Sequence, residues 1–300
     1  MERVCVLLST YNGEKYLTSQ LDSILNQKNV VVDLLVRDDG STDNTLSILQ
    51  EYKNKGLLDW YEGDNLGSAK SFWDLLLNAN DSEYYAFADQ DDFWLEEKLC
   101  RAVSQIKAQI TDRPILYFSK KTIVNENLEE FGVDDEPVRG VGLQFSLLRG
   151  FAAGCTMVFN KKLYLELIKY IPEVMSMHDS WVLKVAGAVG EITFDSSSYI
   201  LYRQHSNNTI GNQTKVKSFK RHLNNIKKYK SDDTRIIMSR QLLENYSNQM
   251  NTNDIHFTSL LANARCSSSA RFKLFFSNYF KTQNKFDIVL FKVFFLLGWV

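Results

Sequence analysis

Three carboxylates stand within four residues at Asp89-Gln90-Asp91-Asp92, directly behind the apolar run Tyr84-Tyr85-Ala86-Phe87. Like charges at that density repel one another unless a cation or a proton intervenes. Carboxylate oxygens suit a hard divalent ion such as Mg2+ or Mn2+, which keeps open positions for the phosphates of a substrate. The bland alternative is an acidic turn between a strand and a helix, since Asp is common in turns. What decides between them is whatever else the chain brings to the same place.

Hydrophobic periodicity supplies the frame. Val4–Leu8, Val30–Val36, Leu57–Tyr61 and Glu83–Ala88 read as four short strands. Gly13–Gln27, a stretch opened by Asp43, Ser68–Leu77 and Glu96–Ile110 read as the helices that follow them, with Asp43 or Ser41 a candidate N-cap. This alternation predicts an α/β fold, a parallel sheet with helices on its faces. Four polar clusters then fall just after the four strands: Ser9-Thr10-Tyr11-Asn12, Arg37-Asp38-Asp39-Gly40-Ser41, Gly63-Asp64-Asn65-Leu66-Gly67 and the Asp run. Open α/β sheets bind ligands beyond the carboxyl ends of their strands. Four unrelated turns on one edge would be a coincidence.

Further on the pattern loosens. Ile115–Phe118 continues as a strand and Asn125–Val141 reads as an acidic loop. Gly154–Phe159 reads as a strand, Lys161–Tyr170 as a helix, Met177–Trp181 as the start of another, and Ile192–Tyr202 as a polar strand.

Several classes are excluded. No Gly-rich fingerprint follows the first strand, and no P-loop motif occurs. The Asp run lacks the Gly and the distal Glu of a calcium loop. Cys5, Cys100, Cys155 and Cys266 form no close pair, which favours reduced thiols in a cytosolic protein. Met1-Glu2-Arg3 runs straight into the first strand, so no signal peptide is read. What remains is a nucleotide held by polar side chains, with its diphosphate bridged to a metal.

At this point Ser9-Thr10-Tyr11-Asn12-Gly13, Arg37-Asp38-Asp39-Gly40-Ser41-Thr42-Asp43 and Asp89-Gln90-Asp91-Asp92 resemble, in order and spacing, family 2 glycosyltransferases. His178-Asp179-Ser180-Trp181 and Tyr202-Arg203-Gln204-His205-Ser206-Asn207-Asn208 resemble the bacterial rhamnosyltransferase branch of that family. The resemblance implies a GT-A fold: a Rossmann-like, mixed but mostly parallel sheet flanked by helices. It covers about residues 1–214, a nucleotide-binding half to about 110 and an acceptor half from about 111. It also implies transfer of a sugar, L-rhamnose from dTDP-L-rhamnose, onto a saccharide acceptor, polyprenyl-linked in surface polysaccharide synthesis. Another hexose from a UDP-sugar is the alternative.

Roles follow residue by residue. Thr10, Tyr11 and Asn12 would line the nucleoside pocket, Tyr11 by stacking on the base. Asp39 would accept a hydrogen bond from the base, since an ionised carboxylate only accepts. Asp38 could instead cap its own turn. Lys70 would approach the diphosphate or remain a solvated helix lysine. Asp91 is the first choice for metal contact, with Asp89 orienting the ribose or the ion. Asp92 would stand behind them or cap the next helix. His205 would complete the metal shell, and Arg203 would grip the diphosphate with its planar fork. Asp179 is the proposed general base, reaching the acceptor hydroxyl; as an ordinary residue it would cap its helix. The family's usual pair at 178–179 is Glu-Asp, so His178 departs from it; His178 and Trp181 would contact the acceptor. A buried core Trp would look the same in sequence.

The charge is divided. The 300 residues carry 35 Lys/Arg and 36 Asp/Glu, a net charge of −1. From Lys215 onward the chain holds 15 Lys/Arg and 5 Asp/Glu, which leaves 20 and 31 before it. Residues 215–300 therefore read as a basic, aromatic-rich helical tail. Phe286–Val300 is almost wholly apolar yet too short to span a bilayer, so it is read as lying on an anionic membrane face or packing on the protein or on a second subunit. Basic-aromatic interleaving also fits RNA, but no stacking module surrounds it, so no nucleic-acid partner is expected. The rival functions are a nucleotidyltransferase, disfavoured by Ser-Thr-Tyr-Asn-Gly after the first strand, and a non-catalytic nucleotide- or carbohydrate-binding module.

Overall fold

A computed structural model describes residues 1–133, 140–205, 233–277, 279 and 285–298. Ser206–Asn208 and the cation-rich 215–229 lie outside the described residues.

The strands are β1 (Glu2–Thr10), β2 (Val30–Asp38), β3 (Asp59–Glu62), β4 (Tyr84–Ala88), β5 (Phe93–Trp94), β6 (Ile115–Val124), β7 (Glu130–Val133), β8 (Val158–Asn160) and β9 (Glu191–Arg203). They form one sheet in the order β3-β2-β1-β4-β8-β6-β9-β5, with β7 on β6. The helices up to β9 are α1 (Leu17–Leu25), α2 (Thr45–Asn54), α3 (Ser68–Leu77), α4 (Lys98–Lys107), α5 (Leu143–Leu148), α6 (Lys161–Lys169) and α7 (His178–Val189). Beyond β9 follow α8 (Thr234–Tyr246), α9 (Thr252–Ala262), α10 (Ser268–Phe276) and α11 (Lys285–Leu296). The expected mixed, mostly parallel sheet flanked by helices holds.

Alternation along β1 explains the layering. Cys5 and Leu7 enter one apolar cluster, with Phe72 of α3 and Trp181 of α7. Val4, Val6 and Leu8 enter the other, with Leu21 of α1, Leu49 of α2 and Val103 of α4. Both faces of a central strand are covered, so it reads as a continuous apolar run. The first cluster also takes in Leu242, Tyr246, Phe257 and Phe295 of the C-terminal helices.

Strand direction matters most for the site. β1, β2 and β4 are parallel neighbours, but β8 runs antiparallel between β4 and β6. Two reversals make β6 parallel to β4 in direction, and β9 is parallel to β6. The carboxyl end of β9 therefore reaches the same edge as the ends of β1, β2 and β4. The amino end of β8 arrives there too.

Some local expectations are corrected. Gly154–Phe159 is not one strand: Gly154–Thr156 form a 3-10 turn and only Val158–Asn160 pair. The acidic loop contains β7, hairpinned onto β6. Asp92 does not cap a helix, because β5 intervenes before α4 begins at Lys98.

Candidate active site

The ends of β1 and β4 are clasped by Gln90. Its Oε1 accepts from the Thr10 hydroxyl at 2.7 Å and the Tyr11 N–H at 2.8 Å, and its Nε2 donates to the Tyr11 carbonyl at 3.2 Å. A Cβ on Gly13 would lie 2.5 Å from that Oε1 and 2.7 Å from Thr10 Oγ1, so a side chain there would push both out of the clasp. Sequence reading missed Gln90, although its place inside the Asp run was visible. Tyr11 itself is half exposed, open to stack on a planar ligand. Asn12, at φ 48°, ties this loop to the next: its N–H donates to Ser41 Oγ and its Oδ1 accepts from the Thr42 N–H, both at 2.8 Å.

At the end of β2, Asp38 accepts from the Gly40 and Ser41 N–H groups and so closes its own turn. Asp39 is buried and pairs with Arg37, and its oxygens accept from the Leu66 and Gly67 N–H groups at 2.9 Å. Three of roughly four acceptor directions are filled. Asp39 thus holds the 63–67 loop against β2, with one direction left for a base. Lys70 is exposed on the first turn of α3.

The acidic run meets β9. Asp91 Oδ2 lies 2.8 Å from His205 Nε2, although 114 positions separate the residues. Arg203 supports the contact: its Nε donates to the Asp91 carbonyl at 2.8 Å, its backbone N–H to Asp92 Oδ1 at 3.2 Å, and its Nη1 to the Glu126 carbonyl. The guanidinium also sits over the Tyr16 ring, 4.6 Å from its centroid. Expected on the diphosphate, this buried fork instead grips main chain beneath the metal candidate.

Asp89, Asp92 and Cys155 bring one ligand atom each within 4.8 Å of one another. Cys155 was not foreseen, since it enters on the 3-10 turn at the start of an antiparallel strand. Burial, then the charges of Asp91 and Asp179, push the Asp89 carboxyl up to about 7. Asp92, fully buried beside Asp91 and Asp89, is also raised well above the usual carboxylate range. Its Oδ2 has no hydrogen-bond partner among the described residues. Beneath it the Lys98 ammonium, also without a hydrogen-bond partner, stacks 3.5 Å from the Trp94 ring centroid. Burial pulls Lys98 down to about 7, partly offset by Cys155 and Asp92.

The donors fit a divalent ion. The ligand atoms of Asp89, Asp92 and Cys155 all lie within 4.8 Å of one another, and Asp91 Oδ2 and His205 Nε2 stand beside them, joined at 2.8 Å by a hydrogen bond that a shared ion would replace. Carboxylate and imidazole together suit Mn2+, and carboxylates alone suit Mg2+.

Asp179 lies in the first turn of α7, where the helix dipole favours a negative charge. It is not the N-cap, which is Met177. Its Oδ2 accepts from the Gly154 N–H at 3.2 Å, and its charge is felt at Asp89. Gly154 adjoins Cys155, whose thiol comes within 4.8 Å of Asp89 and Asp92, so the candidate base is tied to the turn that borders the acidic run.

Two neighbours of Asp179 on α7 belong to the core instead. Trp181 is fully buried in the core, so it is no platform for a sugar. His178 is buried too, its ring stacked 4.0 Å from that of Phe72, with neither nitrogen hydrogen-bonded. Burial pulls its pKa down to about 4, so at neutral pH it is an uncharged core aromatic and not an acceptor contact.

Comparison with known proteins shows the family and the fold. The model of glycosyl transferase family 2 matches residues 5–161, more than half of the chain. A dTDP-rhamnosyl transferase, RfbG of Shigella flexneri, is 27% identical over 223 residues, 68% of this chain and 73% of its own. The poly(ribitol-phosphate) β-N-acetylglucosaminyltransferase TarS of Staphylococcus aureus is 33% identical over 115 residues, 37% of this chain and 20% of its own. Among solved structures, TarS 1–349 superposes with a TM-score of 0.61 at 20% identity, covering 99% of this chain and 81% of that one. A mannosyltransferase of Pyrobaculum calidifontis, solved with GDP-Man and Mn2+, gives 0.54 at 18% identity over 99% and 85%. These folds are GT-A, and the chain belongs to glycosyl transferase family 2.

Proposed function

We propose that this protein is an inverting, metal-dependent glycosyltransferase that moves L-rhamnose from dTDP-L-rhamnose onto a saccharide acceptor. The observation that carries the chemistry is the meeting of Asp91 and His205 at 2.8 Å, with Asp179 close enough to perturb Asp89. The rhamnosyl donor rests on the relative RfbG. A UDP-sugar donor is the second reading, favoured by the TarS structure solved with UDP-GlcNAc.

The donor's base would stack on the exposed Tyr11 ring, with the Thr10–Tyr11 backbone held by Gln90. Asp91 and His205 would hold Mg2+ or Mn2+, with Asp89 beside them; when bound, the ion neutralises the leaving diphosphate as a Lewis acid. Asp179 takes the proton from the acceptor hydroxyl as its oxygen attacks the anomeric carbon. The bond from that carbon to the phosphate oxygen breaks, dTDP leaves with the electron pair, and the anomeric configuration inverts. Arg203 keeps the Asp91 main chain in place during this step.

The test offers labelled dTDP-L-rhamnose, UDP-GlcNAc and UDP-glucose to the protein with and without Mn2+. Mn2+-dependent consumption of dTDP-L-rhamnose is expected. Turnover of a UDP-sugar alone moves the donor to the second reading, and no turnover of any donor ends the enzyme reading. Asp179→Asn should lower kcat by about 10²–10⁴-fold while leaving the Kd for dTDP nearly unchanged, because that is what loss of a general base costs and the base does not touch the nucleotide. Loss of dTDP binding in that variant would show Asp179 to be a nucleotide contact.

A further inference from the structure

The last two helices carry outward stripes that none of the described residues covers. On α10, Ser269, Phe272, Lys273 and Phe276 are exposed at helical spacing, while Ala270 and Leu274 face the core. On α11, Val289, Val293 and Leu296 are exposed in the same way, as is Leu297 just beyond its end, with Phe295 buried as the anchor. Phe272 is 56% exposed, Phe276 74%, Val289 60% and Leu297 52%. The two helices pack against each other, so the two stripes lie on neighbouring elements of the C-terminal layer. Large apolar side chains collected this way mark an interaction surface.

We propose that this two-helix face docks on the surface of an anionic lipid bilayer. Charge selects the occupant. On the described faces the charged side chains are Arg271 and Lys273 of α10 and Lys292 of α11, and α10 carries no carboxylate. A second copy meeting the same face through a two-fold axis would bring like charges together. Anionic headgroups instead complement them, each cation near the surface adding to the attraction. Lys292 of α11 lies 5.9 Å from the ring centroid of Phe275 on α10, across the contact between the two helices. Insertion is shallow: α11 has 12 residues, about 18 Å of helix against about 30 Å of hydrocarbon. Among the described residues no helix is long and apolar enough to cross a membrane.

The proposal does not rest on the transfer reading, and its test is separate. The full chain is sedimented with vesicles of phosphatidylcholine, alone or with one third phosphatidylglycerol, at low and high salt. Binding to the anionic vesicles, weakened by salt, is expected. Phe272→Ser with Phe276→Ser, and separately Val289→Ser with Val293→Ser, should each weaken it about tenfold or more, with the melting temperature unchanged because all four side chains point outward. Lys273→Gln should reduce the salt dependence. Failure of the unaltered protein to bind anionic vesicles overturns the proposal, as does equal binding by both double variants. A dimer by analytical ultracentrifugation that the double variants abolish, without vesicle binding, overturns it in favour of self-association. Transfer to a soluble acceptor, measured in parallel, reports on the active site alone.

Discussion

His178 shows how one side chain can carry two readings. In sequence it neighbours the candidate base and could serve the acceptor. In the fold its ring lies between Phe72 and Phe87, buried and without a hydrogen bond. A histidine held neutral there titrates at about 4 when folded and near 6.5 when unfolded. The unfolded chain therefore binds the proton first, and stability falls as pH drops from about 6.5 to about 4. The window of about 2.5 units corresponds to about 3 kcal/mol. His178→Phe should flatten this slope in urea unfolding between pH 7 and 4.5. An unchanged slope would mean that another group controls acid unfolding. Trp181 makes the same point: side-chain chemistry nominated it for a sugar, and burial decided otherwise.

At the scale of elements, the central event is the insertion of β8 between β4 and β6. It turns β9 back toward the nucleotide edge, so that Arg203 and His205 arrive where β4 delivers Asp91. It also lays Gly154 against α7, where a Cβ would stand 2.6 Å from His178 Nε2 and 3.3 Å from the Asp179 Cβ. Arg203 is the joint of this arrangement, because one fork holds the Asp91 carbonyl and the loop after β6. Lysine keeps the charge but not the planar set of donors. Arg203→Lys should therefore weaken Mn2+ binding in calorimetry by about tenfold, through loss of about 1.4 kcal/mol of positioning. Unaltered Mn2+ affinity would separate Arg203 from the metal candidate.

Across the whole molecule, the boundary expected near residue 214 falls outside the described residues, but the helices beyond it do not stand apart. Leu242, Tyr246 and Phe257 are fully buried in the cluster that also holds Leu7 and Phe87 of the sheet. The Tyr246 hydroxyl donates to the Glu166 carbonyl of α6 at 2.9 Å. Truncating a large side chain in such a core costs about 3–5 kcal/mol. Phe257→Ala should thus lower the melting temperature of the catalytic sheet itself, in one cooperative transition seen equally by tryptophan fluorescence and far-ultraviolet dichroism. Two separate transitions would show the C-terminal helices to be an independent unit.

The chain by itself determined the first four strands and their helices, the shared edge of the polar clusters, and the residues Asp89, Asp91, Asp179 and His205 as candidates for the chemistry. The strands, their edge and the Asp run are local, because short apolar runs set strands and polar residues just beyond them lie at strand ends; Asp179 and His205 were named through the resemblance of their motifs to family 2 glycosyltransferases. Tertiary structure alone decided which candidates meet. Asp91 reaches His205 across 114 positions because two antiparallel steps restore the direction of β9. Cys155 and Gln90 joined the site, while Trp181 and His178 left it for the core. The reason is physical: periodicity tells which face of an element is apolar, but strand direction and order decide which distant side chains share a space.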